Sequence, residues 1–290
     1  MENDKKLYAM PEANSPSMVP GTGITGGKLT GGKFTEGSIS EAMRLLQLNS
    51  AVFKAHVTPP KHKDKPAWEA KNHWQNQLSE DAKARAKKNK MYTEGMTYID
   101  LWRIVGPILI CRTQYEEQKT DCADTSLGRM IQFAYDYKLP FEIKGISNRD
   151  KGTPESIIKK VQVAVGAEQL FDGAGTFTMH KFTKAQYDKD PEKFIEQFTK
   201  AFSELIPGDL VTWNHMNKPA ETGHNITVVD VHPDLGTLET IQGQPNKIPE
   251  FSVKHLSKMI EQVKDGSNEI EFQKWDFKKF DKQDSNAKGN

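Results

Sequence analysis

Cysteine is scarce in this chain: of 290 residues only two, Cys111 and Cys122, carry a thiol. Two cysteines cannot build a disulfide scaffold, and 11 positions apart they lack the spacing of a zinc site, so neither crosslinks nor a cysteine-bound metal organise the fold. No window of 18 consecutive apolar residues occurs, which removes a helical membrane span. The first 20 residues lack the apolar stretch of a secretory signal, so the protein is expected in the cytoplasm as synthesised, or exported by a specialised secretion system. Excess charge of one sign is missing too, the formal net charge being +1. Residues 1–90 carry 15 Lys and Arg against 9 Asp and Glu, and the rest carry 25 against 30, neither of which is the dense basic footprint of a nucleic-acid binder. Apolar residues make up only 36%, so part of the chain lies outside any core.

What is present divides into three stretches. Residues 1–90 read as a Gly-rich arm, a linker and a helical extension. Within the arm, Gly27-Lys28-Leu29-Thr30 is loosely repeated as Gly32-Lys33-Phe34-Thr35. The spacing imitates a phosphate-binding loop, but Phe34 stands where Ser or Thr must hold magnesium and no apolar strand precedes it. A short helix follows from the capping pair Ser38 and Glu41, then a Pro- and Lys-rich linker over 57–66. A polar helix is predicted over roughly 67–88, with Trp68 and Trp74 as its only large anchors, so it must dock on something. The scattered histidines His56, His62 and His73 lack ligand spacing, and no metal or other cofactor is expected.

Apolar density rises after Met91, and residues 91–277 read as the main domain. Tyr98, Leu101, Trp102 and Val105 fall at helical spacing before Gly106-Pro107 breaks the run. Cys111 sits in a short apolar run and reads as a small core residue. Cys122 is different. It immediately precedes Leu127, Met130, Ile131, Ala134 and Tyr137, an amphipathic helical pattern, and so stands at a helix start. There the helix dipole and unpaired amides favour the thiolate and can hold an oxyanion. A thiol so placed is a nucleophile if a base faces it and a core residue if none does.

Downstream, Phe141 to Ile146 alternates as a strand, and Thr153-Pro154-Glu155 and Asp190-Pro191-Glu192 each start a helix. An extended segment over 173–182 lies between them, with His180 on its polar face. Pro207-Gly208-Asp209-Leu210-Val211 feeds a strand ending near Trp213, His224 opens the next, and Thr237 to Gln242 forms a third, an antiparallel meander. A histidine at such an entry can face a helix-borne thiolate, with Gln242 orienting its ring. A helix from Ser252, a closing strand over 269–277 and a frayed polar tail over 278–290 complete the chain.

The order of Asp121-Cys122-Ala123-Asp124 on a helix start, Pro207-Gly208-Asp209-Leu210-Val211 on a strand and Gly223-His224 on the next resembles the NlpC-type and CHAP-type amidohydrolases of the papain-like superfamily. The Cys-led helix also resembles the core of transglutaminase-like proteins. This resemblance implies an α+β papain-like fold, an antiparallel sheet packed against helices. It also implies Cys122 as nucleophile, His224 as general base and Gln242, or else Gln244, as orienter, with Asp121, Tyr115 and Gln244 on the substrate side. The implied activity is that of a cysteine peptidase or amidase acting on the peptide amides of bacterial peptidoglycan. Two alternatives remain open: an effector or toxin modifying a protein target, with an immunity or delivery protein as partner, and a non-catalytic binding protein.

Overall fold

The computed structural model describes residues 29–30, 33–34, 67–88, 90–109, 122–165, 175–216, 223–244 and 247–287. The predicted helix at Ser38, Cys111, Tyr115 and Asp121 lie outside them. In the arm, β1 (Leu29–Thr30) pairs antiparallel with β2 (Lys33–Phe34).

From residue 67 the described chain is packed into the main body. Helix α1 occupies only Glu80–Lys88, and 67–79 runs irregularly, which corrects the predicted continuous helix. The cause is tertiary. Trp68 and Trp74 are 4% and 0% exposed, and their indole N–H groups donate to the carbonyls of Leu139 and Pro140 at 2.9 and 2.8 Å. The main-chain amides of Ala67, Trp68, Lys71 and Asn72 likewise donate to carbonyls of residues 138–150 instead of to one another. The extension is thus held as a strap on the core.

Helix α2 (Tyr98–Val105) starts at a Thr97–Asp100 capping box and ends in a 3-10 turn at Gly106–Ile108, as the sequence spacing predicts. Helix α3 (Cys122–Asp136) follows, with Ala123 and every residue from Thr125 to Tyr135 buried. A two-residue hairpin, β3 (Glu142–Ile143) and β4 (Ile146–Ser147), replaces the single strand expected there. Helix α4 (Pro154–Val165) and helix α6 (Pro191–Ser203) begin at their predicted capping residues, Thr153 and Asp190. Between them lie β5 (Thr176–Phe182) and a short helix, α5 (Lys184–Lys189), capped by Thr183.

Strands β6 (Leu210–His215), β7 (His224–His232) and β8 (Thr237–Gln244) form the predicted meander. Strand β9 (Lys247–His255) then pairs with β8, so Ser252 lies on a strand opposite Thr240, and the helix begins only at α7 (Leu256–Lys264). Strand β10 (Asn268–Trp275) inserts between β5 and β6, giving a six-stranded antiparallel sheet of order β5-β10-β6-β7-β8-β9. The tail is not frayed throughout: α8 (Phe277–Ala287) buries Phe280 completely, and Asp281 accepts the Trp74 amide at 2.9 Å.

The fold is α+β, with helices on both faces of the sheet. One core joins Trp74, Trp102, Phe133 and Ile157 to Leu210, Val229 and Ile241. The other joins Phe194, Phe198, Phe202 and Met259 to Val211, Ile226, Val228 and Phe272. Alternation along β6 and β7 therefore assigns successive side chains to opposite helical layers. Gly208 positions β6 between them: its φ is +91°, and a Cβ there would stand 2.7 Å from Trp102 Nε1. Among the described residues no helix is long and apolar enough to cross a membrane.

Candidate active site

Cys122 is the first residue of α3 and half-buried. Its sulfur accepts the main-chain N–H of Asn225 at 3.4 Å, so the thiol lies against the residue that follows His224. A polar chain fixes this contact. One turn into the helix, Ser126 Oγ donates to Asn225 Oδ1 at 3.1 Å and meets Thr227 Oγ1 at 3.0 Å. Asn225 Nδ2 donates to Thr212 Oγ1 at 2.9 Å, and Thr212 Oγ1 to Gln273 Oε1 at 3.3 Å. All five side chains are at most 3% exposed. Hydrogen bonds in such dry surroundings hold the helix in register on the sheet, because a partner lost there leaves a buried polar group unsatisfied.

His224 opens β7 and is half-buried. Its Nε2 is hydrogen-bonded to Oε1 of Gln242, the residue expected as orienter, near the irregularity in β8 between Gln242 and Gln244. An amide oxygen can only accept, so Nε2 carries the proton and Nδ1 the lone pair of the neutral ring. His224 pairs across the sheet with Trp213, their rings 6.3 Å apart. Trp213 Nε1 donates to Gln262 of α7 at 3.0 Å, so this pair lies on the α7 side of the sheet.

The strand alternation has a consequence that sequence order alone did not reveal. Asn225 and Thr227 face the cysteine helix, whereas His224, one residue earlier, is paired toward the opposite layer. The thiol meets the beginning of β7 at the Asn225 amide, one residue after His224. The sequence-predicted set is thus partly assembled. The structure brings His224 and Gln242 into contact and sets Cys122 against the neighbouring main chain, while Tyr115, Asp121 and the Gln244 side chain lie outside the described residues.

Asp230, six residues along β7 from His224, does not orient its ring. A bulge between Val228 and Asp230 breaks the even spacing from His224, and Asp230 stands opposite Glu239 instead. Both carboxylates are fully buried around His232, whose Nε2 lies 3.1 Å from Glu239 and 3.9 Å from Asp230. Burial alone would lower the His232 pKa, but its bond to Glu239 and the two negative charges raise it on balance.

Ser126, Asn225, Thr212 and Gln273 are site-building residues that sequence reasoning missed. Ser126 follows Cys122 by one helical turn, and Asn225 follows His224 directly. Those offsets are the only signal available, since Thr212 and Gln273 reach the site through strand pairing. Among the described residues no group of three or more His, Cys, Asp or Glu could hold a metal ion. No protein-family model, no curated protein and no solved structure matches this chain.

Proposed function

We propose that the protein is a papain-like cysteine amidohydrolase with Cys122 as nucleophile, His224 as base and Gln242 as orienter, acting on peptide amides of bacterial peptidoglycan. The carrying observation is the Asn225 N–H on Cys122 Sγ, which joins the helix-start thiol to the strand entry that bears His224 and its Gln242 partner.

In this reading Nδ1 of His224 takes the thiol proton at the start of β7. The Asn225 N–H and the first-turn amides of α3 favour the resulting thiolate. The sulfur attacks the amide carbonyl, a C–S bond forms, and the negative oxygen is held by amides of the first turn of α3, at the positive end of the helix dipole. The imidazolium then protonates the leaving nitrogen as the C–N bond breaks, leaving a thioester. Water, deprotonated by Nδ1, attacks the thioester, and the carboxylic acid and the thiolate are released. Gln242 keeps the proton on Nε2 throughout, so that Nδ1 remains the working nitrogen.

The test is release of soluble peptides from purified peptidoglycan by the full chain, beside its Cys122→Ala and His224→Ala variants. Release by the wild type alone, with all three proteins melting within a degree or two, is expected. Release by either variant would remove the assigned residue from the reaction. A reactive Cys122 without peptide release would move the target to a protein substrate.

A further inference from the structure

Glu271 of β10 touches neither Cys122 nor His224, yet side-chain hydrogen bonds tie it to the cysteine helix. Its Oε2 accepts from Gln273 Nε2 at 3.1 Å and from Thr178 Oγ1 at 3.4 Å. Its Oε1 accepts from Asn214 Nδ2 at 3.2 Å and lies 3.2 Å from the Lys181 ammonium of edge strand β5. From this carboxylate, 14% exposed, a single line of bonds runs inward through Gln273, Thr212 and Asn225 to Ser126. The line crosses from β10 to β6, β7 and α3, and each member inward of Glu271 is at most 3% exposed.

A carboxylate only accepts, an amide has one accepting and one donating end, and a hydroxyl has one proton to give. Glu271 therefore turns the Gln273 amino group toward itself and leaves Gln273 Oε1 to take the Thr212 proton. The Thr212 oxygen then accepts from Asn225 Nδ2, and Asn225 Oδ1 is left facing the Ser126 hydroxyl. Flipping both amides would reverse every bond inward of Glu271 and still satisfy the buried groups. In that reverse sense Asn225 donates to Ser126, and the Ser126 proton turns to the Cys122 carbonyl, 3.4 Å away. The two senses thus differ at the first turn of the cysteine helix. We infer that Glu271 is a positioning residue for Cys122: its negative charge selects one sense of the buried line and so holds that turn on β7 in one arrangement. The service to a nucleophile rests on the cysteine hydrolase reading; the selection of one sense does not.

The experiment compares the full chain with Glu271→Gln and with the exchange Glu271→Gln/Gln273→Glu. The exchange moves the carboxylate one step along the line and imposes the original sense on Thr212 and Asn225. One readout is the iodoacetamide rate of Cys122 at pH 7; the other is the set of NMR NOEs from the Asn225 carboxamide protons. In the wild type these NOEs should reach the Thr212 methyl and not the Ser126 β-protons, whereas Glu271→Gln should show both. Loss of a partner in direct contact with a ligating group costs about 10- to 100-fold, and two side chains stand between Glu271 and Asn225. Alkylation should therefore slow roughly 3- to 10-fold in Glu271→Gln, with its melting point nearly unchanged, and recover in the exchange. Wild-type NOEs to Ser126 would overturn the assignment without any variant. So would wild-type alkylation or an unchanged NOE pattern in folded Glu271→Gln, or a folded exchange variant that stays slow. Peptide release that needs Cys122, with alkylation indifferent to Glu271→Gln, overturns the positioning role alone. Slowed alkylation, with peptide release undiminished by Cys122→Ala, overturns the hydrolase reading alone.

Discussion

Asn225 donates its main-chain N–H to the sulfur of Cys122 while its own carboxamide is held between Ser126 and Thr212. One residue thus connects the nucleophile, the cysteine helix and the strand that carries His224. The thiol is oriented by backbone, which no side-chain substitution removes directly, and the backbone is in turn held by a buried side-chain network.

That division of labour makes Asn225→Ala informative. It keeps the N–H but takes one buried hydrogen-bond partner each from Ser126 and Thr212, at a cost of about 1–3 kcal/mol in stability. Cys122 alkylation by iodoacetamide should slow as helix and strand lose their register. Unchanged stability and unchanged alkylation would show that the network does not position the thiol.

Cys122 itself should react with iodoacetamide at neutral pH much faster than Cys111, because a helix-start thiol accepting an N–H is biased toward the thiolate. Mass spectrometry of each cysteine peptide over a time course separates the two rates. Equal rates would return Cys122 to the role of a core residue.

Removal of Gln242 should cost less than removal of the base, on the order of 10- to 100-fold in turnover, because it only fixes the ring. Gln242→Glu should restore the orientation and recover part of the loss. Asp230→Asn should leave turnover near the wild-type value, since the β7 bulge directs Asp230 to Glu239 and His232. Loss with Asp230→Asn and none with Gln242→Ala would invert the assignment.

The meander, the helix starts at Pro154 and Pro191 and the Cys-led helix were legible because local chemistry dictates each of them: capping residues, proline at the first turn, and apolar spacing. The strap over 67–79 was not. Its tryptophans answer to carbonyls of residues 139 and 140, some 70 positions away, and no local pattern carries that information. The His224–Gln242 pair was legible from strand order, but the layer toward which His224 pairs was not. That depends on Trp213 as cross-strand partner and on the contact of Trp213 with α7. Strand β9 was missed because its sequence, which includes Pro249, carries little strand signal.

The tail offers a stability test. Phe280 is fully buried, its ring centroid 6.2 Å from that of Trp74, and Asp281 accepts the Trp74 amide. Phe280→Ala should cost about 3–5 kcal/mol, as other buried phenylalanines do, measured by urea unfolding. A cost below about 0.5 kcal/mol, the level of a surface change, would restore the tail to a frayed segment.

Stability should also depend on pH through Asp209, in the turn that feeds β6. The residue is 5% exposed, and burial pushes its pKa up to about 7, against the pull of Lys274 at 3.6 Å and of the Ile206 N–H it accepts at 3.0 Å. An unfolded chain would release this proton near the ordinary aspartate value of about 3.9. Between those two values the folded state holds a proton that the unfolded state has lost, so lowering the pH through this window favours folding. The contribution is fully present below the unfolded pKa and disappears as the pH rises through about 7. The unfolding free energy should therefore fall between about pH 4 and pH 7, where the unfolded carboxyl is ionised and the buried one is still protonated. Asp209→Asn keeps an acceptor for the Ile206 amide but cannot ionise, so its profile should be flatter over that range. Urea titrations at half-unit pH steps compare the two proteins. Parallel profiles would mean that Asp209 is already ionised in the native turn, with Lys274 prevailing over burial.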